Sequence, residues 1–233
     1  MSEAIKQLKG QKLMNRECGG LTVRPGSYKT GTYMLTYTNK QFYPLHPDPN
    51  DIDIKDIAHA LSNVCRFTGH VSQFYSVAQH CVLVSQICNP ENALAGLLHD
   101  ASEAYLSDVA RPVKYTQLME GYRKIEDLLE EAISVKFNTP YPMTKDIKYA
   151  DDMCLLAEGY QLFKPAPEWV LERLKAAGLE KPIITLDSCW PPMVAKAKFM
   201  KRFMELNGVQ CKPATEKEIE TMVEITTGIY GKT

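Results

Sequence analysis

No stretch of this sequence approaches the roughly 20 consecutive apolar residues that a membrane-spanning helix requires. The first residues, Met1-Ser2-Glu3-Ala4-Ile5-Lys6, lack the apolar core of a secretory signal. A soluble, cytoplasmic protein with no membrane partner is therefore expected. There is no C-x-x-C pair among the seven cysteines (Cys18, Cys65, Cys81, Cys88, Cys154, Cys189, Cys211). Their odd number and irregular spacing speak against a disulfide framework or a zinc ribbon and for reduced thiols. An excess of charge of one sign is missing too. The 27 Lys and Arg residues balance 28 Asp and Glu residues, for a formal net charge of -1. That leaves no global footprint for a nucleic-acid polymer, so an anionic ligand must be held by local cations or by a metal. Histidine is confined to five positions, and none follows His99.

What is present fits one sizeable globular core: 233 residues, 45% hydrophobic and 24% charged. Three segments can be told apart. Residues 1–50 are rich in Gly, Pro, Thr and Tyr. Within them Tyr33 to Tyr37 and Gln41 to Tyr43 flank Thr38-Asn39-Lys40, the pattern of a short β-hairpin. Residues 51–163 turn helical, with Ile54, Ile57, Ala58 and Leu61, then Val77, Cys81, Val84 and Ile87, at helical spacing. Asn89-Pro90 reads as an N-cap with proline at the first helical position. Leu118, Tyr122, Ile125, Leu129 and Ala132 form a further stripe, and residues 144–162 another helix. Residues 164–233 read as a C-terminal helical extension. It holds a short helix from Trp169 to Ala177, a possible strand at Ile183-Ile184-Thr185-Leu186, a helix from Pro191-Pro192 to about Leu206, and a capping-box start at Thr215-Glu216-Lys217-Glu218. The expected fold class is all-α with a small N-terminal hairpin.

One feature of this pattern demands chemistry. The run Ala93-Leu94-Ala95-Gly96-Leu97-Leu98 has no polar face, yet it ends on His99-Asp100. An imidazole and a carboxylate at the end of a buried element are costly unless something compensates them, and a metal ion does so commonly. His80 sits on the apolar 77–87 helix, and Asp151 and Asp152 on the 144–162 helix. His80, His99, Asp100 and one of those aspartates make an N2O2 set suited to a divalent Co, Mn, Zn, Ni or Fe ion. Glu103, four residues after His99, shares its face if the helix continues, where a carboxylate can orient water or move its proton. Arg66 and Lys114 are candidate clamps for phosphate oxygens.

The ordered set His80 … His99-Asp100 … Asp151 resembles the HD-domain phosphohydrolase superfamily, an all-helical metal-dependent fold. His99-Asp100-Ala101-Ser102-Glu103-Ala104, with Asp108, Pro112-Val113-Lys114 and Lys148-Tyr149-Ala150-Asp151, is similar to bacterial HD-domain 5'-deoxynucleotidases. The stretch Cys65 to His70 with Tyr75 to His80 resembles phage and prophage HD-domain proteins, a group that includes deoxyadenosine triphosphohydrolases. The likeness spans about residues 30–162. It implies that His80, His99, Asp100 and Asp151 hold one metal, with Asp151 favoured over Asp152 because it follows Lys-Tyr-Ala. It implies Glu103 as the catalytic glutamate beside metal-bound Asp100, Arg66 on the phosphate, and Asp108 on the sugar 3'-hydroxyl. Phe67 stands where the deoxynucleotidases carry a tryptophan that crowds the 2'-position. The histidines used downstream by dinuclear and dGTPase-type relatives are absent, which favours a mononuclear core. The expected activity is hydrolysis of a deoxynucleoside 5'-monophosphate in a homo-oligomer. The alternatives are a dATP-type triphosphohydrolase with a second divalent ion, and a nucleotide-sensing module whose metal is structural.

Overall fold

The structure, a computed structural model, describes residues 32–208 and the backbone of residues 17–18 and 21–22. The latter form β1 (Glu17–Cys18) and β2 (Leu21–Thr22), paired antiparallel. The expected hairpin is present as β3 (Met34–Leu35) and β4 (Gln41–Phe42), with Met34 opposite Phe42. Asn39 supplies the reversal with φ 66°, a left-handed conformation that asparagine tolerates better than most residues. The hairpin is fastened to the helical body at two points. Thr38 donates from its backbone N and its hydroxyl to Asp56, at 2.6 and 2.9 Å. Phe42 is fully buried and stacks on Tyr105 with ring centroids 4.1 Å apart.

The remainder is helical. Helix α1 (Ile54–Asn63) starts at Asp53, which accepts from Lys55 N, and α2 (Val77–Ile87) starts at Ser76, which accepts from Gln79 N. Then come α3 (Ala93–Leu97), α4 (Glu103–Leu106), α5 (Arg111–Lys114), α6 (Glu120–Phe137) and α7 (Lys145–Leu162), the last capped by Thr144. Helices α8 (Glu168–Ala176) and α9 (Pro192–Leu206) complete the described chain. None of the described helices is long and apolar enough to cross a membrane.

Helix α2 is central because it is apolar on nearly every side, and such a helix must be surrounded. It packs against α1, α3, α7 and α9. Val77, Ala78, Cys81 and Val82 join the main core with Ile57, Leu61, Leu97, Leu129 and Phe199, while Val84 meets Ala95, Ile147 and Cys154 in a second cluster. Phe199 of α9 is fully buried, worth on the order of 1.5–3 kcal/mol, so the C-terminal segment closes the same core rather than standing apart. Helices α2 and α3 approach closely at Gly96. A Cβ there would lie 2.7 Å from Cys88 Sγ and 3.4 Å from Ser85 Cα.

Several expectations are corrected. The helix does not continue from Ala93 through Glu103: α3 stops at Leu97, turns follow, and α4 begins at Glu103. The cause is local. His99 Nδ1 donates to Gly96 O at 2.8 Å, the carbonyl that a continuing helix would offer to Asp100 N. Asn89 does not cap with its side chain. Instead Asp146 of α7 accepts from Asn89 N and Asn92 Nδ2, each at 3.0 Å, and Pro90–Asn92 is a 3-10 turn. Leu118 belongs to no buried stripe; it is 94% exposed in a 3-10 turn ahead of α6. Residues 183–186 form no strand. They lie in a strap bound by side-chain amides: Gln161 to Ile184 O and Leu186 N, and Gln79 to Ser188 O and Trp190 N. The capping box at residues 215–218 lies outside the described residues.

Candidate metal centre

Three elements meet at one point: α2 brings His80, the turn after α3 brings His99 and Asp100, and α7 brings Asp151. His80 Nε2 lies 3.2 Å from His99 Nε2, 3.1 Å from Asp151 Oδ1 and 3.6 Å from Asp100 Oδ2. His99 Nε2 lies 3.2 Å from Asp100 Oδ2 and 4.0 Å from Asp151 Oδ1. Neighbouring donors around an ion with bonds near 2.0–2.2 Å stand about 3.0–3.5 Å apart, so His80, His99 and Asp151 come close to the size of a coordination shell, with Asp100 adjoining through His99. Asp152 is not part of it; its carboxylate faces Arg173 at 3.6 Å.

The hydrogen bonds on the far side of each ring decide what the near side offers. Gly96 O can only accept, so His99 carries its proton on Nδ1. His80 Nδ1 meets the carboxylate of Glu158 at 2.6 Å and is protonated there for the same reason. Both neutral rings then turn bare Nε2 lone pairs toward each other and toward two carboxylates. Four acceptors converging in a buried space repel unless a cation or protons sit among them. This is the pattern of metal-ligating histidines, whose second nitrogen is held by a carboxylate or carbonyl. Without a metal, protons serve. Burial and Arg66 press the His80 pKa down, yet Glu158 and Asp151 carry it above its ordinary value. His99 goes well above despite burial, through Asp100. Burial works against ionisation of Asp151 and Asp100, but the imidazoles outweigh it and hold both below the usual carboxylate range. Cys81 Sγ offers an alternative third donor beside His99 and Asp100. Burial pushes that thiol up to about 11, so without a metal it keeps its proton at neutral pH.

Around this set the structure sorts the other predicted residues. Glu103 is buried, and its Oε2 has no hydrogen-bond partner among the described residues. Burial, then the Asp100 and Asp108 charges, push its pKa well above the usual range. Asp108 is half-buried, and burial raises it too. Arg66 reaches the centre, with Nη1 3.5 Å from Asp100 Oδ2, but its Nε donates to Glu158 Oε2 at 3.0 Å. Arg66 opens a turn in which Phe67, Thr68 and Gly69 all have positive φ, with Arg66 N donating to Tyr75 O. Non-glycine residues there cost on the order of 1–3 kcal/mol each, so that turn is over-determined by its surroundings. Phe67 packs edge-on against Phe163, and Lys114 Nζ is taken by Glu126 at 2.8 Å; neither enters the donor set.

Glu158 is the residue that sequence reasoning missed. It is completely buried and also accepts from Tyr75 OH at 3.0 Å. A signal was present: Glu158 follows Asp151 by seven residues, two helical turns along one face, inside the apolar run Leu156-Ala157-Glu158-Gly159.

No family model matches the chain. The Escherichia coli (strain K12) protein YfdR is 39% identical over 178 residues, covering 76% of this chain and 96% of YfdR. The Rhodobacter capsulatus protein RCAP_rcc00048 is 37% identical over 131 residues, covering 51% of this chain and 66% of its own length. Neither name carries an activity.

Proposed function

This chain belongs to the family of the Escherichia coli protein YfdR, and we propose that it is an HD-domain phosphohydrolase whose metal centre hydrolyses deoxynucleoside 5'-monophosphates. One observation carries the reading: the donors of His80, His99 and Asp151 converge to metal-shell size, with Asp100 Oδ2 3.2 Å from His99 Nε2, close to a buried glutamate whose Oε2 has no partner among the described residues. A purely structural metal needs no such neighbour. His80, His99, Asp100 and Asp151 would hold a divalent ion, which would supply Lewis acidity toward a water and a phosphate oxygen. Glu103 keeps its proton more tightly than an exposed carboxyl, so it can exchange one with that water or with the leaving oxygen. Arg66, held rigidly by Glu158, keeps Nη1 beside the donor set where charge on a phosphoryl group would build. Asp108 offers a half-buried acceptor for a sugar hydroxyl.

The charge around the centre favours one phosphate over three. Arg66 already faces Glu158 and Asp100, and Lys114 faces Glu126. Arg123 spends one guanidinium nitrogen on the carbonyls of Lys114 and Thr116. A triphosphate would need these cations released or a second divalent ion bound. The test is a panel of dNMPs, dNTPs and ribonucleotides with cobalt- or manganese-loaded protein. Inorganic phosphate from dNMPs is expected, and Glu103→Gln should cut turnover by about 10²–10⁴ while retaining metal. Triphosphate released from dNTPs would move the substrate to the dATP-type alternative. Unaltered turnover in Glu103→Gln would remove that residue's role, and no hydrolysis of any nucleotide would favour a sensing module.

A further inference from the structure

We infer that Glu158 is a positioning residue that sets His80 and Arg66 with one carboxylate, presenting the bare Nε2 of the ring to the metal and the guanidinium edge to Asp100. The inference rests on the metal-centre reading and adds to it a residue outside the ligand set. Glu158 is fully buried, and its two oxygens are divided between two jobs. Oε1 takes His80 Nδ1 at 2.6 Å and Tyr75 OH at 3.0 Å; Oε2 takes Arg66 Nε at 3.0 Å. All three partners donate, so both oxygens must be acceptors, which only a carboxylate provides in this shape. The bond to Nε, rather than to the terminal nitrogens, leaves Nη1 to reach Asp100 Oδ2 at 3.5 Å.

Glutamine fits the same volume but cannot do both jobs. If its amide oxygen faces His80 and Tyr75, its NH2 meets the N–H of Arg66, donor against donor. If it turns over, its NH2 donates to His80 Nδ1, and the ring must carry its proton on Nε2, where the metal would bind. A buried carboxylate serving only as counter-ion to Arg66 makes no such demand on His80. The two accounts therefore part at the metal.

The test compares cobalt(II) binding by the wild-type protein, Glu158→Gln and Tyr75→Phe, by calorimetry and by the visible d–d spectrum, at temperatures where each variant is folded. Glu158→Gln should lose about 10- to 100-fold in cobalt affinity and change the spectrum. Tyr75→Phe, which removes only the third donor, should do neither. Combining Glu158→Gln with Arg66→Met frees the glutamine oxygen for His80 and should restore most of the affinity. Wild-type affinity and spectrum in Glu158→Gln would overturn the inference while leaving the metal centre standing. An absence of cobalt binding by the wild-type protein would remove both. Should Glu158→Gln fail to fold, long-range ¹⁵N–¹H spectra of the zinc-loaded wild-type protein decide. His80 protonated at Nδ1 supports the inference, and protonation at Nε2 overturns it.

Discussion

Glu130 gives the structure a pH dependence that can be isolated. It lines a cavity with Leu98, His99, Ile133, Tyr141 and Ile147, on the side of α6 that faces His99 of the candidate metal centre. Burial first, and then the neighbouring Glu126 charge, push its carboxyl up to about 7 from 4.5, against the pull of Lys114. An unfolded chain gives up that proton near 4.5, whereas the folded chain keeps it to about 7. Between those values the native state binds more protons, so Glu130 subtracts stability as pH rises and has its full adverse effect above pH 7. The separation corresponds to on the order of 3 kcal/mol, which residual solvent contact reduces to roughly 2 kcal/mol. Glu130→Gln removes the dependence. In metal-free protein the variant should match wild type near pH 4 and melt higher by about 4–8 °C at pH 8 for a chain of this length. Differential scanning calorimetry in chelator, read as variant minus wild type at each pH, cancels every other titrating group. A difference curve that stays flat from pH 4 to pH 8 would refute the reasoning.

Metal loading should stabilise the fold, because the converging donors belong to the native state alone. At free metal one hundred times the dissociation constant the gain is about 2.7 kcal/mol, visible as a raised Tm that EDTA reverses; His80→Ala losing none of this gain would contradict the donor set. Gly96→Ala puts a methyl group 2.7 Å from Cys88 Sγ and shifts the carbonyl that orients His99. A loss of about 1–3 kcal/mol in urea unfolding is expected, with weaker cobalt binding; unchanged values in both would show that α2 and α3 have room to spare. Gln79→Leu strips the partners from Ser188 O and Trp190 N. It should cost about 1–3 kcal/mol and speed proteolysis within residues 183–190, and equal cleavage rates would mean that the strap is held elsewhere.

The helical frame was legible because its signals are local. Val77 to Ile87 repeats apolar residues at helical spacing behind a serine cap, and the hairpin follows a turn at Asn39. The donor set was legible for another reason: His99-Asp100 and His80 interrupt apolar runs, and a buried charge in such a run needs a partner. Partners at long range were not. Arg66 and Glu158 are 92 residues apart, and nothing in the neighbourhood of either predicts their pairing. The break at Leu98 was hidden as well. It depends on an imidazole competing for Gly96 O, a contact that exists only once His99 has been turned toward the centre. The strap at residues 183–190 read as a strand because Ile183 to Leu186 has strand composition. The backbone there is satisfied by two glutamine amides instead of a neighbouring strand, and no pattern of hydrophobicity distinguishes the two.

Charge balance ties these parts together. Asp100, Glu103, Asp108, Asp151 and Glu158 gather within the influence of one arginine, and Lys114 is already neutralised by Glu126. Without a metal, Arg66 and the protonated His80 and His99 imidazoles balance those carboxylates, so the centre is not a bare cluster of negative charge. A divalent ion among these donors would take the place of the two imidazole protons, keeping the local charge while satisfying the Nε2 lone pairs. Glu103 follows the same logic: burial first, and then the Asp100 and Asp108 charges, sustain its raised pKa, and a cation bound to Asp100 would weaken only the second part.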